Sequence, residues 1–247
     1  MGTSETKSEK VYRIFEEISQ NYDEANERIS AGQHQKWKKE LVSHVIRHTC
    51  GEGSVLDLCC GTGDIALALA RDCPHLSLTG VDFSPSMLSV AKKKSAGERN
   101  VTWIQADAMK LPFEDGIFSS AVISFGLRNT PDYGQVMSEM ARVTRPGGLV
   151  CCMDASMPDS PAVLPFFKLY FGKVMPVLGG GKDKMADYIW LHDSTEQFLS
   201  KKQLCDLFRD VGLQNVTYRS FMFGSCALHT GIKKPSCAAG REAGKPQ

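Results

Sequence analysis

The chain has 247 residues, 42% of them hydrophobic and 23% charged, with a formal net charge of +1. That length suits one α/β domain carrying an insertion, and the balanced charge argues against bulk nucleic-acid binding. No apolar run reaches the roughly 18–20 residues that cross a bilayer, and the polar start Met1–Lys10 does not read as a secretory signal.

Nine cysteines are present, with adjacent pairs at Cys59-Cys60 and Cys151-Cys152 and no C-x-x-C spacing. This does not suit a metal site. Both pairs fall where buried strands are expected, so they read as reduced, small apolar core residues of a cytoplasmic protein.

Residues 1–10 are expected to be disordered, and 11–232 to form a single domain. Val11 to Ile29 reads as a helix, with Ile14, Phe15, Ile18 and Tyr22 at helical spacing; Trp37, Leu41, Val45 and Ile46 mark a second, closed near Gly51. The stretch Ser54-Val-Leu-Asp-Leu-Cys-Cys-Gly-Thr-Gly-Asp64 follows, and then the apolar-periodic Ile65 to Ala70. That is strand, glycine turn and helix, the first half of a nucleotide-binding βαβ unit. Gly61 and Gly63 allow the backbone close to a ligand, and the helix start offers free N–H groups. Asp57 and Asp64 beside the turn would repel a pyrophosphate, which disfavours a nicotinamide-linked oxidoreductase. They suit a ligand carrying an ammonium and a sulfonium, which describes S-adenosyl-L-methionine.

Leu76 to Val81 predicts a second strand ending at Asp82, roughly 20 residues past the turn, where a carboxylate takes ribose hydroxyls. Phe83 is placed to lie against a ring. Ser84 and Pro85 open a helix as N-cap and first residue. Asn100 to Gln105 is a third strand leading to Asp107, a candidate acceptor for an adenine amino group. Phe118 to Ser124 is a fourth strand, apolar enough to be buried on both faces. A helix over 132–144, a turn at Pro146-Gly-Gly148 and a fifth strand, Leu149 to Met153, follow. Strand–helix alternation implies a parallel sheet with ligands at the carboxyl ends; Asp57, Asp82, Asp107, Ser124 and Asp154 all stand at such ends. Residues 155–200 break the rhythm and read as an aromatic-rich cap suited to a flat, apolar, lipid-like substrate, with Phe166, Phe167 and Phe171 as candidates for contact with a membrane surface. A helix over 200–211, a closing hairpin (215–220 and 225–232) and a disordered tail over 233–247 complete the chain.

Together these motifs resemble a family. Leu56 to Asp64 is similar to motif I of the class I methyltransferases. Ile123-Ser-Phe-Gly-Leu-Arg-Asn129 resembles the signature of the ubiquinone/menaquinone biosynthesis C-methyltransferases, and so do Tyr22-Asp-Glu-Ala-Asn26, Tyr188-Ile-Trp-Leu-His-Asp-Ser194 and Arg145-Pro-Gly-Gly148. The resemblance implies a Rossmann-like, seven-stranded, mostly parallel sheet with helices on both faces, the last strand antiparallel, N-terminal helices and an inserted cap. It implies S-adenosyl-L-methionine contacts at Thr62, Asp82, Asp107, Ala108 and Ser124, with Asp57, Gly61 and Gly63 around its methionine part. It implies that Arg128 and Asn129 are catalytic and face a prenylated quinol. Tyr22, Phe125, Tyr188 and His192 are the candidate substrate-binding residues. The expected reaction is methylation of a quinol ring carbon, a demethylmenaquinol before a benzoquinol. Another small-molecule methyltransferase and a non-catalytic scaffold of a quinone-synthesis complex stay open, as do peripheral membrane contact and a homodimer. One departure stands out: where many members carry Glu-Phe-Ser-Lys-Pro, this chain has Asp154-Ala-Ser-Met-Pro158.

Overall fold

In chain order the elements are α1 (Lys7–Ile18), α2 (Gln33–Thr49), β1 (Gly53–Leu58), α3 (Asp64–Asp72), β2 (Leu76–Asp82), α4 (Pro85–Lys94), β3 (Val101–Gln105), β4 (Phe118–Ser124), α5 (Tyr133–Val143), β5 (Thr144–Ala155), α6 (Leu164–Leu169), α7 (Lys201–Asp210), β6 (Leu213–Phe221) and β7 (Cys226–Lys233). They belong to a computed structural model that describes residues 6–19, 22–24, 27, 32–169 and 194–235. Tyr188 and His192, and most of the expected cap, lie outside the described residues.

The seven strands form one sheet in the order β3-β2-β1-β4-β5-β7-β6. All neighbours from β3 to β5 pair parallel, and β7 enters antiparallel between β5 and β6. Strand order reverses on either side of β1 and β4, so the crevice beyond their carboxyl ends is the natural ligand position.

Alternation along the strands divides the core. Leu56, Leu58, Ala121, Ile123, Val150 and Cys152 face one side, against Met137 and Met140 of α5 and Phe208 of α7. Val55, Leu78, Val122, Cys151 and Met153 face the other, against Leu41 and Val45 of α2 and Ile65 and Leu69 of α3. The central strands are buried on both faces, which is why they read as continuous apolar runs rather than alternating ones. Cys151 and Cys152 serve as small core residues on opposite faces.

Four expectations need correction. First, α1 begins at Lys7 rather than Val11, because Thr6 and Glu9 form a capping box. Second, β5 runs from Thr144 through the Pro146-Gly-Gly148 segment expected to be a turn, with a register shift against β4 between Phe118 and Ser120. Third, Cys59 and Cys60 follow the end of β1 and lie in the turn, not in a strand. Fourth, β7 continues to Lys233, one residue beyond the expected end of the domain. The turn itself is pinned from above by Trp103: a Cβ on Gly63, whose φ is +83°, would fall within its indole, as would one on Gly80. The indole N–H donates to Ser95 Oγ at 3.0 Å, which fixes the ring.

Candidate active site

A cavity of about 240 Å³ opens at the carboxyl ends of β1, β2 and β4. Its floor comes from the turns after those strands and from Ala106 to Met109; its roof comes from Val11 and Phe15 of α1, with Tyr22. Most of the expected site residues meet there: Gly61, Asp82, Phe83, Asp107, Ala108, Ser124, Phe125, Asn129 and Tyr22 all line it.

The β2 side is acidic and ordered. Asp82 accepts from Gly61 N at 2.8 Å and Ser84 N at 2.9 Å, so the carboxylate itself ties the glycine turn to the start of α4. Burial pushes its carboxyl up, and these backbone N–H groups work against that rise. Asp107 accepts from Met109 N at 2.8 Å. Phe83 packs against Tyr12 of α1 with ring centroids 5.6 Å apart.

The β4 side is different. Phe125 has a φ of +57° and Cys59, facing it from the β1 turn, has +52°. A Cβ on Gly126 would collide with the side chain of Cys59. Positive φ in bulky residues is costly and collects at ligand sites. Three buried polar atoms here have no partner: Ser124 Oγ, Asn129 Oδ1 and Arg128 Nε. Ser124 and Asn129 are among the residues that line the cavity.

Four expected residues do not line it. Asp57 is buried behind the turn and accepts from Ala66 N at 3.0 Å, holding the first turn of α3. Burial pushes its carboxyl up to about 7. Gly63 is the left-handed cap of α3. Thr62 donates to Asp23 Oδ1 at 2.6 Å. Arg128 turns its guanidinium to Asp154, with Nη1 to Oδ1 at 2.5 Å, and to the Phe125 carbonyl at 2.8 Å. The idea that Asp64 presents a carboxylate to the ligand is corrected. It is paired with Lys38 and Lys94, each at 2.5 Å. Burial opposes its ionisation, but the two lysines prevail and hold it at about 2.

The roof was not legible as a roof. Glu16 of α1 accepts from Ser84 Oγ at 2.6 Å, Ser86 Oγ at 2.5 Å and Ser86 N at 3.3 Å. Lys7 donates to the Thr130 carbonyl at 2.8 Å and lies over the Tyr133 ring. One helix is thereby fastened to the loops on both sides of the cavity. The apolar stripe of α1 was visible in the sequence, but not what it covers.

Comparison with known proteins gives a consistent result. A family model described as the ubiE/COQ5 methyltransferase family matches residues 3–233. Demethylmenaquinone methyltransferase of Staphylococcus aureus (strain JH9) is 42% identical over 238 residues, covering 95% of this chain and 97% of that protein. Among solved structures, the 4+2 cyclase SpnF superposes with a TM-score of 0.68 at 16% identity, covering 95% of this chain and 98% of that one. Phosphoethanolamine N-methyltransferase 2 of Haemonchus contortus, in complex with S-adenosyl-L-methionine, gives 0.59 at 13% identity over 79% of this chain and 52% of that one.

Proposed function

The chain belongs to the ubiE/COQ5 methyltransferase family, and from that we propose that it methylates a ring carbon of a reduced, prenylated quinone, with a demethylmenaquinol as the acceptor. The observation that carries the reading is the buried Asn129 Oδ1, which has no partner, on the β4 side of a cavity whose β2 side holds the carboxylates Asp82 and Asp107. Buried polar groups without partners are rare and expensive. A phenol hydroxyl on a flat ring would supply what Asn129 lacks. The naphthoquinol is favoured over a benzoquinol by the Staphylococcus aureus relative.

S-adenosyl-L-methionine supplies an electrophilic methyl group on a sulfonium. The β2 side of the cavity fits it: Asp82 can take ribose hydroxyls, Phe83 and Met87 flank a ring, and Asp107 can accept an amino hydrogen. The protein's own task is then position and dryness. α1 roofs the cavity and excludes water. Asn129 Nδ2 donates to the Phe125 carbonyl at 3.2 Å, which leaves Oδ1 directed to a phenol O–H. Loss of that proton makes the neighbouring ring carbon nucleophilic; once that carbon carries the methyl group it sheds its own hydrogen and the phenol is restored. Arg128, paired with Asp154 and bonded to the Phe125 carbonyl, positions the turn that carries Asn129. Among the described lining residues the ionisable side chains are Tyr22, Cys59, Asp82 and Asp107. Burial pushes the Cys59 thiol well up, so it is no thiolate.

The test is methyl transfer from labelled S-adenosyl-L-methionine to chemically reduced, short-tailed demethylmenaquinone and demethoxybenzoquinone analogues, read by mass spectrometry. A product one methyl heavier on the naphthoquinol carbon is expected. No transfer to either acceptor, with donor binding intact by calorimetry, overturns the reading.

A further inference from the structure

Asn129 sits on a short piece of chain with little support of its own. Leu127–Asn129 is a single 3-10 turn; Asn129 N donates to the Gly126 carbonyl and Thr130 N to the Leu127 carbonyl, each at 3.0 Å. One side of the turn is anchored to the sheet, where Asp154 accepts from Arg128 N at 3.1 Å and from the Arg128 guanidinium. The carbonyls of Arg128 and Thr130, on either side of Asn129, need partners elsewhere, because so short a helix supplies none at its C-terminal end.

Both carbonyls are served by one residue of α1, in the polar stretch expected to be disordered. Lys7 Nζ donates to the Thr130 carbonyl at 2.8 Å and to Tyr133 Oη at 3.3 Å. Tyr133 Oη donates in turn to the Arg128 carbonyl at 3.4 Å. One ammonium thus holds the chain on both sides of Asn129, once directly and once through a phenol. It lies 4.9 Å from the Tyr133 ring centre, and that ring is set by an edge-on contact with Phe198, with centroids 5.2 Å apart. A surface lysine ordinarily keeps its ammonium in water. Lys7 is exposed overall, yet its ammonium gives up hydration for neutral acceptors and an aromatic face, and burial pulls it below the usual lysine value. The helix that carries it is itself fixed: Thr6 and Glu9 cap it, Val11 and Ile14 are buried, and Glu16 fastens its far end to Ser84 and Ser86.

We infer that Lys7 is a positioning residue of the reaction: reaching from the roof, it holds the chain on either side of Asn129 so that this side chain stays aligned with the acceptor. Lys7 is not among the residues that line the cavity, and it acts through Thr130 and Tyr133. The role rests on the acceptor proposed above; the anchor does not. One helix then serves the two halves of the cavity separately, Glu16 the donor half and Lys7 the acceptor half.

The test is Lys7→Met in the full chain, which keeps the apolar stem and removes the ammonium. Hydrogen exchange read by mass spectrometry should quicken roughly ten-fold across residues 125–133 and stay unchanged over β1 and β2. With a short-tailed demethylmenaquinol as acceptor, kcat should fall roughly ten-fold or more, since small misplacements act on the reacting geometry. Donor affinity by calorimetry should stay within about two-fold, and the melting temperature should hold. Lys7→Arg, which keeps a charged donor for the same carbonyl, should recover most of the rate and of the protection. Tyr133→Phe keeps the ring and the Thr130 bond and breaks only the relay to the Arg128 carbonyl, so its loss should be smaller than that of Lys7→Met. Unchanged exchange over 125–133, an unchanged kcat, or a Lys7→Arg variant as slow as Lys7→Met overturns the inference. So does a donor affinity that falls as far as kcat, which would mean that α1 has come off the cavity as a whole. Faster exchange over 125–133 in Lys7→Met, when the wild type methylates no quinol, supports the anchor and defeats the acceptor reading.

Discussion

Asp154→Ala should be among the most damaging single changes available outside the hydrophobic core. Asp154 and Arg128 are 2% and 6% exposed. The carboxylate accepts from Arg128 Nη1 at 2.5 Å, Arg128 N at 3.1 Å and Ala155 N at 2.8 Å. Truncation removes all three at once. The buried guanidinium would keep the Phe125 carbonyl at 2.8 Å, while its Nε has no partner even in the wild type. Breaking a buried pair on one side costs about 3–5 kcal/mol, a large part of a total on the order of 5–15 kcal/mol. Removing both charges together is a different matter. Arg128→Met with Asp154→Asn keeps volume and leaves an amide oxygen for the backbone N–H groups. That double variant should be more stable than Asp154→Ala by about 2 kcal/mol. Urea denaturation, with slopes compared to exclude a changed unfolded state, reads both differences. A cost below about 1 kcal/mol for Asp154→Ala, or a double variant no better than the single, would refute the view that this pair anchors the turn carrying Arg128 and Asn129.

Asp57 keeps its proton up to about pH 7 in the folded chain, against an ordinary value of 3.8, so folding binds a proton. Stability is therefore full below about pH 4 and is lost as pH rises towards 7; Asp57→Asn should gain up to about 4 kcal/mol over wild type above pH 7 and little at pH 4, and equal melting shifts at both would contradict this. Glu16→Gln weakens the fastening of α1 to Ser84 and Ser86; donor affinity by calorimetry should fall several-fold with little change in melting temperature, and an unchanged affinity would mean that the roof closes without it. Gly126→Ala sets a methyl group against Cys59 and forces the β1 and β4 turns apart; turnover should fall by roughly a hundred-fold, far more than donor affinity, since small misplacements act on the reacting geometry, and equal losses in both would point to general damage.

Much of this was legible because the signals are local. Alternation and apolar runs placed the strands, and Ser84 caps α4, accepting from Met87 N at 3.1 Å, as its position before Pro85 predicts. The acidic strand ends converge because a parallel sheet carries its strand ends to one edge. What stayed hidden depends on partners far apart in the chain. Asp64 reads as a ligand for a cation until Lys38 and Lys94 arrive from two other helices. Arg128 reads as facing the substrate until Asp154, at the end of the next strand, takes its guanidinium. Nothing within a few residues of either side chain announces the partner. The helix start at Lys7 is the opposite case: Thr6 and Glu9 spell a capping box, and the signal was simply outweighed by the polar composition around it.

The fold itself does not choose the reaction, since a 4+2 cyclase shares it across 95% of this chain at 16% identity. Methyl transfer asks for two partners at a fixed short separation in a dry space, because the electrophile is already reactive. The strained contact between the β1 and β4 turns answers that need. Cys59 and Phe125 both hold positive φ values, and Gly126 leaves no room between the turns for so much as a methyl group. Cys59 and Gly61 of the first turn and Phe125, Gly126 and Asn129 after β4 all line the cavity, so the separation between these two walls is set by packed backbone rather than by mobile side chains. Packed interiors resist small displacements. A site built in this way asks little of its side chains beyond position, because its rate advantage lies in geometry that the fold maintains before either reactant enters.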